Sequence, residues 1–372
     1  MRTLLLLLTT LAPLGATELR APLPPEARRN GAETLRALAP LRMRSAAASV
    51  RLVGADGREA GLATWVHAEG YLLAKASEAP DVQELRARLP DGRLAELREV
   101  KRDVANDLLL AHAKGASGLP VAAFGNSKHL TFGQWIAAPA RDGALRLGVI
   151  SAERRQIPGM GAAIGVRMEE LPPAGRRGVR ILGVAEDSPA RAAGLAQGDV
   201  LLTLAGREVN DFRQVHELIS KRQPGELLEV EFERAGKPRQ ARIRLASRTK
   251  VLNNWEGEDF ANGGISLRTD NFAEVLQHDL PLEPADMGGA LYDLDGQAIG
   301  LNIARVDRIT TFALPAERFW PAVRGWIEAD RRPAPPAAKA PTAPTRAAAT
   351  AAPSAAAAKD APAKPAAAQQ AP

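Results

Sequence analysis

The chain has 372 residues, of which 45% are hydrophobic, and it contains no cysteine. A chain of this length and composition can bury more than one core, and the lack of cysteine excludes disulfides, thiolate metal sites and a cysteine nucleophile. The formal net charge is +6, but six Lys or Arg against one Asp lie from Arg331 onward, so the remainder is nearly neutral. A role in binding nucleic acid is therefore not indicated for the folded part.

The two ends of the chain differ in composition from the rest. Residues 1–16, MRTLLLLLTTLAPLGA, combine an Arg, an apolar run too short to span a bilayer and small residues at the end. This pattern predicts a cleaved secretory signal peptide, with an uncleaved anchor as the alternative. Residues 17–47 are expected to form a short helical or irregular lead-in. We therefore expect an exported protein, soluble after cleavage, in the periplasm or cell envelope.

The last 42 residues, 331–372, are dense in Pro and Ala and have almost no large apolar side chain. Such a segment cannot bury a core, which predicts a disordered tail. The tail either solubilises the protein or contacts anionic envelope surfaces.

Short β-type runs fill residues 48–155. Runs such as SVRLVG, GQWIAAPA and LRLGVISA are separated by the turn sequences ADGRE, PDGR and ARDGA, a spacing typical of an all-β barrel or sandwich. A second series occupies residues 251–330 and includes GALYDLDGQAIGLNIA, where the Asp295-Gly296 turn lies between two apolar strands.

Residues 156–250, between the two β series, follow a different pattern. Their order is strand, short helix, strand, helix and hairpin, which predicts a small α+β domain with its own core. In the helical stretch DFRQVHELISKRQ, the spacing of Phe212, Val215 and Ile219 directs these three toward the core. His216 and Ser220 then lie one step round the helix.

This central module resembles a PDZ domain in the run SPARAAGLAQGDVLLTLAGREV, residues 188–209. PDZ domains bind extended chain ends at a sheet edge, and backbone N–H groups of a loop receive the terminal carboxylate. The resemblance implies that Ala163, Ile164, Gly165 and Val166 form this loop. It also implies that His216 and Ser220 border the groove, where His216 either hydrogen-bonds a ligand or is simply solvated.

The flanking β series resemble the trypsin-like domain of the high-temperature-requirement (HtrA/Deg) serine proteases. Three stretches carry this resemblance: GLATWVHAEGYLLAKASEAPD, VKRDVANDLLLAHAK and LQHDLPLEPADMGGALYDLDGQAIGLNIA. They imply a mainly β fold, a trypsin-like double β-barrel with an inserted α+β PDZ domain. The PDZ module usually follows the protease domain in this family, whereas here it interrupts the second barrel.

The resemblance also gives the positions of a serine-protease triad. It places the imidazole at Ser77, the carboxylate at Asp107 and the nucleophile at Met287, in a turn of the kind that displays one side chain. A thioether has no ionisable proton and Ser77 is no base near neutral pH, so two of the three parts are missing. Asp286 and Ala285 replace the residues before the nucleophile, which further disfavours an oxyanion hole.

We therefore expect a proteolytically inactive relative that binds peptide C-termini or unfolded segments, as a chaperone, an adaptor or a regulatory subunit of an active protease homologue. The alternatives are a serine endopeptidase with a non-standard site and a structural envelope component. A relocated active site would need another base and another nucleophile. His278 is the histidine nearest to Met287 in the sequence, but the hydroxyl residues Ser266, Thr310 and Thr311 have no catalytic motif around them. No residue cluster has metal-ligand spacing, so we expect no metal and no cofactor, and a homo-oligomer remains open.

Overall fold

The structure is a computed structural model that describes residues 24–28, 31–79, 81–171, 177–253 and 263–332. The predicted signal peptide at 1–16 and the tail beyond 332 lie outside these residues. Within them, no helix is both long and apolar enough to cross a bilayer.

The first six strands close into a β-barrel in the order β1-β2-β3-β6-β5-β4. Their bounds are β1 Ser49–Val53, β2 Glu59–His67, β3 Tyr71–Lys75, β4 Arg86–Arg88, β5 Leu94–Asp103 and β6 Leu108–Ala113. Neighbouring strands are antiparallel, and Trp65, Leu72 and Leu109 are among the buried residues of one apolar core. Helices α1 Ala32–Ala37 and α2 Ala39–Ala47 precede the barrel, after a 3-10 turn at Pro25–Ala27.

A second closed barrel has the order β17-β20-β19-β18-β7-β8. Two of its strands, β7 Trp135–Pro139 and β8 Leu145–Ile157, precede the central module, and the other four follow it. These are β17 Phe272–His278, β18 Ala290–Asp293, β19 Ala298–Arg305 and β20 Thr311–Pro315. The barrel is thus assembled from chain segments on both sides of the module.

The module between them is a twisted antiparallel sheet with helices. The sheet order is β10-β11-β12-β14-β15, with β13 paired to β12, and β9 pairs with β16 in a separate ladder. The strands are β9 Ala162–Ala163, β10 Val166–Glu170, β11 Val179–Val184, β12 Val200–Leu204, β13 Arg207–Glu208, β14 Leu227–Arg234, β15 Lys237–Arg244 and β16 Ala246–Ser247. The helices are α3 Pro189–Ala192, α4 Phe212–Ser220 and α5 Arg248–Asn253.

Helix α6, Ala316–Arg331, ends the described chain and was not predicted. Pro321 lies inside it, which disguises the helix in the sequence. Its buried residues Phe319, Val323 and Ile327 recur every fourth position and pack in one core with residues of both barrels. The helix therefore seals the second barrel and reaches the first.

The predicted fold class, a mainly β double barrel with an inserted α+β domain, is confirmed. One detail was wrong: Phe212 was expected in the core but is 60% exposed. Val215 and Ile219 are buried as expected. Phe212 is the first residue of α4 and lies about 10 Å along the helix axis from Ile219, beyond the part of the helix that packs on the core.

Candidate active site and peptide groove

Ser77 and Asp107 are in contact, although Ser77 follows strand β3 and Asp107 precedes strand β6. The backbone N–H of Ser77 donates to Asp107 Oδ1 at 2.7 Å, and its hydroxyl donates to Oδ2 at 2.8 Å. The backbone carbonyl of Asp107 accepts a hydrogen bond from the N–H of Ala76 at 2.8 Å. Asp107 has a left-handed φ of 57°, a strained conformation that these bonds hold in place. The Ser77 hydroxyl is therefore used as a hydrogen-bond donor to a carboxylate.

A residue that the sequence analysis missed completes this cluster. Lys75 Nζ lies 2.8 Å from Asp107 Oδ2 and 3.0 Å from the carbonyl oxygen of Arg268, and Lys75 is 1% exposed. The signal was available, because a lysine inside the apolar run YLLAKA falls on the same strand face as Ser77, two residues later. The carboxylate of Asp107 thus has an ammonium partner.

Arg268 forms the wall behind this ion pair and was also missed. Its guanidinium donates to the carbonyl oxygens of Val104 and Ala105 in the turn before β6, and lies 4.7 Å from the ring centroid of Phe272. Burial lowers the pKa of Arg268, and the nearby carboxylates, chiefly Asp107, oppose this shift. A single arginine in an extended segment carries no sequence signal of such a role.

Met287 is buried, contrary to the expectation of a displayed side chain. It is 3% exposed and packs in the core of the second barrel with Ile136, Leu280 and Leu282 among others. A thioether on an unbranched chain fills an apolar core readily, whereas a polar nucleophile has to stay accessible. Met287 lies near Ala74 and Lys75, since all three line one cavity of about 180 Å³.

The turn before Met287 is a 3-10 helix at Pro284–Asp286. The backbone N–H of Met287 donates to the Pro284 carbonyl at 3.2 Å. In a triad enzyme the N–H at the nucleophile faces the oxyanion. Here that donor is already engaged, so the turn lacks one arm of an oxyanion hole.

The Asp286 side chain is buried and accepts hydrogen bonds from backbone amides. Its Oδ1 accepts from the N–H of Arg141 at 2.7 Å and its Oδ2 from the N–H of Glu283 at 2.8 Å. Two residues on, Gly288 has a φ of 94°, and a Cβ there would lie 2.4 Å from the carbonyl oxygen of Leu62. Thr64 donates to the Gly288 carbonyl at 2.8 Å, which ties the turn to the first barrel.

The remaining histidines do not supply a base to this turn. His278 is fully buried at the end of β17, and its Nε2 lies 2.9 Å from Asn302 Oδ1. Burial lowers the pKa of His278 to about 4. His67 and His112 contact the backbone of Glu69, and His129 lies 3.7 Å from Asp293. Among the described residues no group of three or more His, Asp or Glu could hold a metal ion.

The loop expected to receive a carboxylate lies between β9 and β10. The carbonyl oxygens of Ile164 and Gly165 accept from the N–H groups of Ala190 and Ala185 at 2.9 and 3.0 Å. In trans peptides the following N–H groups, those of Gly165 and Val166, point the opposite way. Gly165 has a φ of 78°, and a Cβ there would lie 2.4 Å from Ser188 Cβ, so only glycine fits.

Strand β10 is at the end of its sheet and pairs on one side with β11 within the described chain. Helix α4 contacts β9 and β10, and the backbone oxygen of Ser220 lies 3.5 Å from where a Cβ of Gly161, just before β9, would be. His216 is exposed, and Phe212 is exposed at the far end of the same helix face. The edge strand β10, the loop and the exposed face of α4 are therefore neighbours.

Residues 162–245 match the family model described as PDZ domain. The chain is similar to the probable periplasmic serine endoprotease DegP-like of Ectopseudomonas mendocina (strain ymp), 22% identical over 279 residues, 54% of this chain and 58% of that protein. A protein of the same description from Bartonella henselae is 29% identical over 128 residues, 33% of this chain and 24% of that protein. The chain thus spans little more than half of the first of these relatives.

Among solved structures, the chain is similar to an HtrA-type protease AlgW with decapeptide, at 18% identity and a TM-score of 0.27, covering 56% of this chain and 98% of that one. The chain is therefore a PDZ-containing protein with two closed β-barrels and a partial sequence similarity to serine endoproteases. Within the limits of that coverage, the sequence similarity is to probable periplasmic DegP-like serine endoproteases.

Proposed function

We propose that this chain is a proteolytically inactive HtrA-type protein that binds peptide ends or unfolded segments through its PDZ groove. One observation carries the inactivity: Ser77 donates its hydroxyl to Asp107, and Met287 is buried in the barrel core. In the described part of the chain no imidazole is then placed between a carboxylate and a nucleophile, so acyl transfer of the triad type has neither its base nor its attacking atom.

The groove supports the binding half of the proposal. An edge strand offers backbone hydrogen bonds to an added peptide strand, and the β9–β10 loop carries N–H groups turned away from the domain. We assign Ala163, Ile164, Gly165 and Val166 to the carboxylate end, with Ser220 beside it and His216 further along. Exposed Phe212 extends this face with an apolar contact for an upstream ligand side chain.

The relatives' names place those proteins in the periplasm and call them serine endoproteases. We extend the compartment to this chain but not the activity. In the periplasm, the chain would capture exposed chain ends for a holding, adaptor or regulatory role beside an active protease homologue.

The binding test uses the purified full chain and a fluorescent peptide, offered with a free C-terminal carboxylate or amidated. We expect the free form to bind at least tenfold more tightly, because the amide removes the charge that the loop receives. Phe212→Ala should weaken binding several-fold. Phe132→Ala is the matched control, since Phe132 is 73% exposed but lies outside the PDZ module.

Equal affinity for both peptide forms, together with no effect of Phe212→Ala, would refute the binding half. The inactivity half is tested with unfolded casein incubated with the same preparation and followed by gel. Cleavage that remains in a Ser77→Ala and Asp107→Ala variant and co-purifies with the chain would establish the alternative, an endopeptidase with a non-standard site.

A further inference from the structure

The PDZ module touches the triad positions through one turn. Residues 223–226, here called the docking turn, connect α4 with β14. Gly225 in this turn has a φ of 93°, and a Cβ there would lie 2.7 Å from Ser77 Cβ and 2.9 Å from Ser77 Cα. A cavity of about 210 Å³ lies between the turn and the barrel, with Ser77 and Asp107 in its lining. The PDZ backbone thus packs directly on the residue at the imidazole position.

The docking turn is a fixed part of its own domain. Gly225 N–H donates to the Leu245 carbonyl at 2.7 Å, and Leu245 N–H donates to the Glu226 carbonyl at 2.9 Å. The Glu226 carboxylate also accepts from the N–H of Gln223 at 2.9 Å. A turn held this way moves with the module rather than as a loose loop, so its position reports the position of the whole PDZ domain.

Further interactions join the docking turn and its neighbours to the barrel residues. Asn271 Nδ2 donates to Gln223 Oε1 at 3.2 Å. Burial lowers the pKa of Arg244, and the carboxylates of Glu78 and Glu84 in the first barrel segment oppose this shift. Ser77 is fixed from below by its two bonds to Asp107. The contact therefore combines three interactions: packing at Gly225, the hydrogen bond between Asn271 and Gln223, and the attraction between Arg244 and the carboxylates of the first barrel segment.

We propose that the pocket at Ser77 is a docking socket for the PDZ module, in which the docking turn takes the space that an imidazole at this position would need. The small side chain of Ser77 and the absence of a side chain at Gly225 then together allow the docking turn to pack on the barrel. Lys75 contributes by supplying the partner of Asp107 that the imidazole would have been. This inference goes beyond peptide binding and stands whether or not the groove binds a peptide.

A consequence concerns restored triads. Ser77→His together with Met287→Ser would reintroduce the missing groups, but the imidazole would extend from the Cβ on which Gly225 packs, so we expect it to displace the PDZ module. The double variant should still fail to cleave casein, because Lys75 remains paired with Asp107 and the backbone N–H at position 287 remains hydrogen-bonded to Pro284.

The test exploits the absence of native cysteine. Gln223→Cys with Asn271→Cys places two thiols where the parent side chains meet, and a short thiol-specific cross-linker then reports docking in the full chain. We expect high cross-linking yield in this background and in Ser77→Ala, which keeps the space. Ser77→His should reduce the yield at least fivefold. Unchanged yield in a folded Ser77→His variant would overturn the socket.

A second pair of variants decides the question if Ser77→His does not fold. Gly225→Ala and Gly236→Ala both force alanine into a positive φ, of 93° and 75°, but a Cβ at Gly236 has no atom within 4 Å. Both variants place alanine at a positive φ, and only Gly225→Ala puts a methyl group on Ser77. We expect reduced cross-linking for Gly225→Ala alone. Equal yields for the two would overturn the proposal, and peptide affinity, measured separately, tests the proposed function.

Discussion

Lys75 and Asp107 form a buried ion pair, with Nζ and Oδ2 at 2.8 Å and both side chains almost inaccessible to solvent. The pair lies where the family resemblance leads one to expect an imidazole on the carboxylate. A buried ammonium needs such a partner, since the penalty for desolvating an unpaired charge is several kcal/mol. The pair therefore fixes Asp107 in a structural role.

Lys75→Met should destabilise the protein by about 3–5 kcal/mol, because it leaves the Asp107 carboxylate buried without its cation. The free energy of unfolding in urea measures the effect. Lys114→Met is the matched control, since Lys114 is exposed and lies 3.8 Å from Glu96, and its loss should cost less than about 1 kcal/mol. Equal losses of unfolding free energy in the two variants would mean that the buried ion pair contributes no more to stability than the exposed one.

Asp286→Ala should also destabilise the protein, by about 2–3 kcal/mol, because it leaves the buried N–H groups of Arg141 and Glu283 without an acceptor. Asp286→Asn should lie between, since an amide offers one oxygen and turns an NH₂ group toward the other donor. Urea unfolding monitored by tryptophan fluorescence reports both. Asp295→Ala, in an exposed hairpin turn, should change little, and a similar loss there would contradict the assignment.

The barrels could be predicted because their signals are local. Turns such as Asp295-Gly296 and alternating apolar runs recur at strand spacing, and α4 follows from the period of Val215 and Ile219. Helix α6 was missed because Pro321 interrupts a clear four-residue period, and its packing against two barrels outweighs the cost of a proline. Tertiary burial, not propensity, decides that segment.

The site divides in the same way. The residues at positions 77, 107 and 287 can be identified from the sequence, and they are enough to predict that the catalytic triad is incomplete. Their partners are not legible, because the contact of Ser77 with Gly225 depends on how two domains pack. The burial of Met287 also follows from the whole barrel core rather than from its Gly-rich neighbours.

His278 should make the protein sensitive to acid. Its pKa is about 4 in the folded protein and about 6.5 in the unfolded chain, so the unfolded chain binds the proton more readily. The corresponding stability is fully present above pH 6.5 and is lost as the pH falls toward 4, by about 3 kcal/mol in total. The cause is burial, which outweighs the opposing effect of the hydrogen bond between His278 Nε2 and Asn302 Oδ1.

Urea unfolding at a series of pH values between 7.5 and 4.5 tests this, with His278→Gln as the non-titrating comparison. The variant should lose less stability than the parent on acidification, because the carboxylates that titrate in both cancel in the difference. Parallel pH profiles would show that His278 is not buried in its neutral form.

Asp330 should control the ionisation of Tyr71. The Tyr71 hydroxyl donates to Asp330 Oδ2 at 2.8 Å, and Arg98 clamps the same carboxylate at 2.6 and 3.0 Å. Burial first, and then this hydrogen bond, raise the pKa of Tyr71 to about 12. The chain has only two tyrosines, and burial also raises the pKa of Tyr292 well above its usual value. The native protein should therefore show almost no tyrosinate at pH 10–11, where a free tyrosine is about half ionised or more.

Asp330→Asn removes both the negative charge and the strong acceptor, so tyrosinate absorbance should rise at lower pH and account for one of the two tyrosines. The variant also releases the end of α6 from Arg98, so its last turn should exchange amide hydrogens faster. Glu328→Gln is the matched control, with the same charge change on the same helix at an exposed position. A Tyr71 titration that shifts as much in Glu328→Gln as in Asp330→Asn would mean that general charge, not the direct hydrogen bond, sets the pKa.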